Sequence, residues 1–284
     1  MKEVTVAKSA GFCFGVKKAV DTVYEEIKKG TGPVFTFGPV IHNEEVVKDL
    51  EGKGVRVLHS LAELKALHSG TVIIRSHGVG REVYEICRRN GLHVVDATCP
   101  FVKKIHRIAE EKTKEGTRVY IVGNPHHPEV EGIRGWGDGK TTVIESAEDF
   151  LSQLPEPGGK VCIVSQTTFN LGKFQEIVDK ITNLGYDIEC CNTICSATQE
   201  RQNEAENIAS RVDAMIVIGG KESSNTGKLV EICRGKCSNT IFIQTYSDLD
   251  PEALRSVYSI GITAGASTPK HIIEEVQANV RSEF

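Results

Sequence analysis

Three cysteines stand in matching settings along this chain: AGFCFGVKKAV around Cys13, ATCPFVKKI around Cys99 and NTICSATQERQ around Cys195, 86 and 96 residues apart. Each precedes a helical pattern, so each thiol falls at a helix start, where the positive end of the dipole and free N–H groups favour a thiolate. Three thiolates on three separate stretches suit a cubane iron–sulfur cluster, which normally takes four. With three protein ligands one iron stays open, and an open coordination position is the mark of a catalytic metal. A second set recurs beside the cysteines: His42, His77, His127, Glu129, Thr167, Ser223, Ser224, Asn225 and Ser267. It is rich in hydrogen-bond donors and poor in fixed cations. With helix N-termini it makes a seat for a diphosphate, and Glu129, the carboxylate next to His127, is placed to relay protons.

The elements that position these residues repeat as well. After Cys13 the apolar residues Val16, Ala19, Val20, Val23, Tyr24 and Ile27 keep one helix face; after Cys99 the set is Val102, Ile105, Ile108 and Ala109; after Cys195 the stripe is weaker. Each helix leads to a short apolar strand ending in Gly (PVFTFG, RVYIVG, AMIVIGG), with Gly38, Gly123 and Gly219 lying 24 or 25 residues past their cysteines. Second strands follow (VRVL, TTVIE, TIFIQ), then helix openings at Ser60, Ser146 and Ser247. Third strands (TVIIRSHG, KVCIVSQTT, SIGITAGAS) end near His77, Thr167 and Ser267. This predicts an α/β fold of three similar small modules with mostly parallel sheets, residues 1–97, 98–192 and 193–284. Ligands bind beyond the carboxyl ends of such strands. A pseudo-threefold trefoil would aim all three sets of loops at one central cavity.

Composition sets the limits. The 284 residues carry 34 basic and 38 acidic side chains, a formal net charge of −4, which argues against a nucleic-acid footprint. The N-terminus has no apolar signal-peptide core and no run approaches a membrane span, so a cytoplasmic protein is expected. Nine cysteines cannot all pair, and in a reducing compartment they point to metal or redox chemistry. Cys87, Cys162, Cys190, Cys191, Cys233 and Cys237 do not recur in all three modules and are expected to pack, as is Trp136.

Competing motifs are weaker. Zinc held by Cys190, Cys191, Cys195, Cys233 and Cys237 remains an alternative, although the chain has no C-x-x-C pair. An open-iron hydratase working without net electron transfer is another. The loop GGKESSNTGKL fails as a Walker A, since Glu222 and Leu229 stand where Gly and Ser/Thr are required. The H-x-E of His127–Glu129 lacks the P-C-x-x-C partner of zinc deaminases. No G-x-G-x-x-G follows a strand, so electrons are expected from a protein donor.

In order along the chain, GFCFGVKKAV, GPVIHN, RSHGV, DATCP, HPEVEG, SQTT, ICSATQERQ, SSNT and TAGAS resemble the IspH/LytB family of 4-hydroxy-3-methylbut-2-enyl diphosphate reductases over essentially the whole length. The resemblance implies a three-module trefoil with one [4Fe-4S] cluster on Cys13, Cys99 and Cys195, its fourth iron taking the substrate's terminal alcohol. It implies an oxidoreductase of the non-mevalonate (MEP/DOXP) pathway in which two electrons and two protons remove that hydroxyl as water, giving isopentenyl or dimethylallyl diphosphate. His42, His77, His127, Ser223, Ser224, Asn225 and Ser267 would hold the diphosphate. Glu129 would be the proton source, and Thr167 would orient the hydroxyl and the relay. The implied partner is a ferredoxin- or flavodoxin-type donor, with neither nucleic acid nor membrane. The lack of a plastid-type extension or a fused RNA-binding domain suggests a bacterial-type cytoplasmic enzyme.

Overall fold

Short β-branched runs alternating with amphipathic stretches give, among the described residues of the computed structural model (2–155, 159–184 and 186–283), twelve strands in three sheets of four. Every strand pair is parallel. Strands β2 (Val34–Phe37), β3 (Arg56–Leu58), β4 (Thr71–Ile74) and β5 (His93–Asp96) form one sheet in the order β3-β2-β4-β5. Strands β6 (Arg118–Val122), β7 (Thr141–Ile144), β8 (Val161–Ser165) and β9 (Ile188–Cys190) form the next in the order β7-β6-β8-β9. The third is β11-β10-β12-β1, from β10 (Ala214–Ile218), β11 (Thr240–Ile243), β12 (Ser259–Ala264) and β1 (Glu3–Val6). The three sheets thus share one strand order.

The fourth strand of each sheet is the one that leads into a cysteine. Chain leaving β5 reaches Cys99, chain leaving β9 reaches Cys195, and chain leaving β1 reaches Cys13. Because β1 pairs with β12 (Val4 beside Ile260), residues 3–6 belong to the sheet of residues 214–264, not to that of residues 34–96. A module boundary drawn at residue 1 by sequence therefore cuts off the edge strand that the third sheet needs. The cause is that a short strand carries no record of its distant partner. By compactness the chain divides into two units, one of residues Met1–Lys17, His42–Val46 and Cys195–Phe284, the other of Lys18–Ile41 and Val47–Ile194.

Helices cover both faces of the β6–β9 sheet and of the sheet that holds β10–β12, and the central strands of all three sheets are almost wholly buried. Along β6 and β8, Tyr120, Val122, Val161 and Ile163 pack into one core with Phe150 and Phe174 of α7 (Ala147–Ser152) and α8 (Leu171–Thr182). Their neighbours Val119, Ile121, Cys162 and Val164 pack into another with Ile105 of α5 (Pro100–Lys114) and Ile133 of α6 (Pro128–Arg134). This is period-2 alternation with both faces dry. Within the same unit Trp136 donates to the carbonyl of Val79 (2.9 Å) and stacks on His106, a packing role. Ser60 and Ser146 cap α3 (Leu61–Lys65) and α7 as the sequence suggests. At Ser247 the chain differs: residues Tyr246–Asp248 make a 3₁₀ turn, because the Asp248 carboxylate accepts from the N–H groups of Gln244 and Thr245 (both 2.9 Å) and closes the segment early. No helix among the described residues is long and apolar enough to cross a membrane.

Candidate active site

In the unit that carries β2–β9, four predicted residues meet. His127 is the N-cap of α6, and its Nδ1 accepts the N–H of Glu129 (3.1 Å), with Pro128 at the first helical position. That bond leaves Nε2 as the ring position able to carry a proton toward a ligand. The His77 ring, in the loop after β4, meets the His127 ring edge-on at 5.5 Å. Glu129 is only 1% exposed. Its two oxygens accept from Thr167, one from the backbone N–H (2.6 Å) and one from the side-chain hydroxyl (2.7 Å). Burial pushes its carboxyl up to about 7, against the two Thr167 bonds that favour the anion. A carboxyl poised there can hold or release a proton near neutral pH. Cys99 caps α5 ahead of Pro100. Its N–H donates to the Ser76 carbonyl (3.0 Å), and Ser76 is fixed in turn by its N–H and hydroxyl on the Val40 carbonyl.

The other unit gathers the rest. Cys13 sits just before α1 (Phe14–Lys29), its N–H donating to Ala266 O (3.3 Å). Cys195 caps α9 (Ser196–Ala209), with Sγ accepting the N–H of Thr198 (3.3 Å). Ser223 caps α10 (Ser224–Arg234), and Ser224 and Asn225 open that helix. Asn225 Oδ1 accepts from Ala266 N (3.0 Å), which leaves Nδ2 buried and without a protein acceptor. Ser267 donates its hydroxyl to the carbonyl of His42 (3.0 Å). Gly220 approaches the same carbonyl so closely that a Cβ would lie 2.6 Å from it. His42, Ser223, Asn225, Ser267 and Cys13 are therefore locked into one cradle. A buried amide donor beside the N-terminus of a helix is a fit for an anionic oxygen.

Arg201 was not singled out by its sequence. It is 3% exposed on the inner face of α9 and donates to Gly11 O (3.0 Å) and Ala264 O (2.8 Å), clamping the Cys13 loop and the end of β12. Burial lowers its pKa, while Cys13, Cys195, Glu204 and Glu200 act to raise it. A fixed cation thus stands near two of the three thiols, and among the described residues no carboxylate is within ion-pairing distance of it. Arg201→Met is expected to leave two buried carbonyls unsatisfied and cost about 1–3 kcal/mol each, lowering the denaturation midpoint. Arg201→Lys should restore part of it.

The cysteines sort by environment. Cys13, Cys99 and Cys195 are half-buried at helix starts, whereas Cys87, Cys162, Cys233 and Cys237 lie in cores. Burial pushes Cys162 and Cys233 up to about 12, and Cys237 directs its thiol at the carbonyls of Val212 and Asn239. Of the five cysteines in the zinc alternative, Cys233 and Cys237 are buried in a core, Cys191 and Cys195 are half-buried and Cys190 is exposed, so Cys190 does not pack as its sequence suggested. Burial keeps the Cys233 thiol protonated, which makes it a poor metal ligand. In one unit Cys13 and Cys195, and in the other Cys99, are each partly exposed at a helix N-terminus, where thiolate character is favoured and the chemistry suits an iron–sulfur ligand.

The family model described as LytB protein matches residues 4–281. The chain is 44% identical over 281 residues to the 4-hydroxy-3-methylbut-2-enyl diphosphate reductase of Caldanaerobacter subterraneus subsp. tengcongensis, covering 99% of this chain and 97% of that protein. The Plasmodium falciparum structure of E-1-hydroxy-2-methyl-but-2-enyl-4-diphosphate reductase superposes with a TM-score of 0.92 at 32% identity, covering 99% of this chain and 87% of that one. A solved (E)-4-hydroxy-3-methyl-but-2-enyl diphosphate reductase, titled the terminal enzyme of the non-mevalonate pathway, superposes at 0.72 with 42% identity, covering 99% and 100%.

Proposed function

The chain belongs to the LytB family, and from that premise we infer an oxidoreductase that reduces 4-hydroxy-3-methylbut-2-enyl diphosphate to isopentenyl and dimethylallyl diphosphate. Two electrons and two protons enter, the C–O bond breaks, and the hydroxyl leaves as water. Cys13, Cys99 and Cys195 hold one [4Fe-4S] cluster, which when bound supplies the electrons and a Lewis-acid iron. A 2+ cubane on three thiolates carries one negative charge and the substrate is anionic, so the seat must offset repulsion. Asn225 Nδ2, the Ser223 and Ser224 hydroxyls and the positive N-terminal end of α10 do so, with His42, His77, His127 and Ser267 as further donors. Thr167 orients the leaving hydroxyl and holds Glu129, which delivers the proton.

The observation that carries this reading is Glu129, a fully buried carboxyl held near neutrality by burial and gripped by Thr167. The electron donor is a ferredoxin or flavodoxin. None of the nine cysteines is in a disulfide, which leaves Cys13, Cys99 and Cys195 available as thiolate ligands.

Anaerobic purification should yield a brown protein containing iron and acid-labile sulfide, with reductant-dependent turnover. Zinc alone, or turnover of the substrate without any reductant, would replace this reading by a zinc-binding protein or by a hydratase. Asn225→Ala should raise KM about 10–100-fold, the loss of one hydrogen bond to a charged group. Steady-state kinetics at saturating reductant measures it, and an unchanged KM would move the diphosphate elsewhere.

A further inference from the structure

The described phenylalanines exposed to solvent are Phe14 (71%) and Phe101 (43%), and each follows a proposed cluster ligand, Cys13 or Cys99, by one or two residues. Each is followed one turn later by a lysine pair, Lys17-Lys18 or Lys103-Lys104. On α5 the side chains of Phe101, Lys104 and Arg107 are spaced three apart on the exposed face, opposite the buried Val102, Ile105, His106 and Ala109. Lys103 pairs with Asp96 (2.7 Å), but neither Lys104 nor Arg107 has a carboxylate partner among the described residues. No acid occurs in α5 before Glu110. A helix macrodipole favours the opposite order, with acids first and bases last, and the whole chain is net acidic. Helix stability therefore does not account for a basic stripe that starts at an exposed aromatic ring beside Cys99.

We propose that the Phe101–Lys104–Arg107 face of α5 is the docking surface for an acidic one-electron carrier protein. The inference rests on the reductase reading above, which requires two electrons from outside the substrate. Phe101 lies in the first turn of the helix that Cys99 opens, so a redox group held against that ring is separated from the cluster ligand by a single turn of backbone. Lys104 and Arg107, one and two turns further, attract acidic side chains around that group and set its orientation. Two carriers dock in succession. Each is oxidised by one electron, and the pair of electrons with two protons converts the allylic alcohol to the alkene and water.

The test uses the holoenzyme with Lys104→Glu and Arg107→Glu combined. A reduced acidic bacterial ferredoxin is compared with reduced methyl viologen as electron source, and calorimetry follows binding of the oxidised ferredoxin. The double variant is expected to lose about tenfold or more in ferredoxin-dependent kcat/KM, to lose the salt dependence of that value, and to weaken ferredoxin binding in parallel. Iron content and viologen-driven turnover stay at the wild-type level. Phe101→Ala should lower ferredoxin-driven turnover alone. Unchanged ferredoxin kinetics and binding, or equal loss with both electron sources, overturns the proposal. If the reversal variant loses iron, the milder Lys104→Gln with Arg107→Gln decides, and its unaltered binding and salt dependence would also overturn it. A wild-type protein with no viologen-driven turnover would instead sink the reductase reading.

Discussion

Cys13→Ser, Cys99→Ser and Cys195→Ser are each expected to abolish turnover and strip most of the iron, while Cys87→Ser, Cys162→Ser and Cys233→Ser stay brown and active. The contrast follows from where the thiols sit. The first three stand at helix starts, partly open, with Cys195 taking an N–H bond on its sulfur. A serine hydroxyl does not ionise near neutral pH and is a hard, weak ligand for iron. The second three are buried among Val, Ile and Leu side chains. Serine there buries a hydroxyl in place of a thiol, a penalty of about 1–3 kcal/mol that lowers the melting temperature without touching the cluster. Iron and sulfide analysis beside activity separates the two groups. Loss of iron in all six alike would mean that the variants measure stability and not ligation.

The repeat made much of this legible in advance. Three copies of one strand–helix pattern carry their cysteines and strand-end loops at nearly constant offsets, and physical periodicity at that length is hard to produce without a shared fold. The residues that escaped notice did so for identifiable reasons. Cys195 is followed by a faint apolar stripe because the buried face of α9 is itself polar, made of Thr198, Arg201, Gln202, Ala205 and Ala209. Hydrophobic periodicity cannot see a helix whose inner side faces a charged site. Arg201 reads as an ordinary surface arginine until the carbonyls of Gly11 and Ala264 are found at its ends, contacts that span 190 and 63 residues. In ICSATQERQ an arginine flanked by Gln and Glu inside a proposed site was the available signal. Strand β1 was likewise silent, since a four-residue run does not specify a partner more than 250 residues away.

Glu129→Gln is expected to reduce kcat about 10²–10⁴-fold while KM for the diphosphate stays within a few-fold, because glutamine keeps the shape and the contact with Thr167 but has no proton to give. The same carboxyl sets a pH profile. In the folded protein it ionises at about 7 in place of its ordinary 4.5. A proton donor of that kind is competent below about 7, so kcat/KM should fall as pH rises through that value. Thr167→Val removes the hydroxyl bond that favours the anion, so the alkaline limb should move to higher pH while the backbone N–H bond remains. Stability provides a check that does not involve turnover. A raised carboxyl pKa means that between 4.5 and about 7 the folded chain keeps a proton that the unfolded chain has released. Folding is then progressively disfavoured as pH rises across that window, by about 1.4 kcal/mol per pH unit at most, and levels off above it. Glu129→Gln should flatten that slope in denaturant titrations of the holoenzyme. A variant whose stability still falls with the wild-type slope, or whose turnover is undiminished, would place the shared proton on another group.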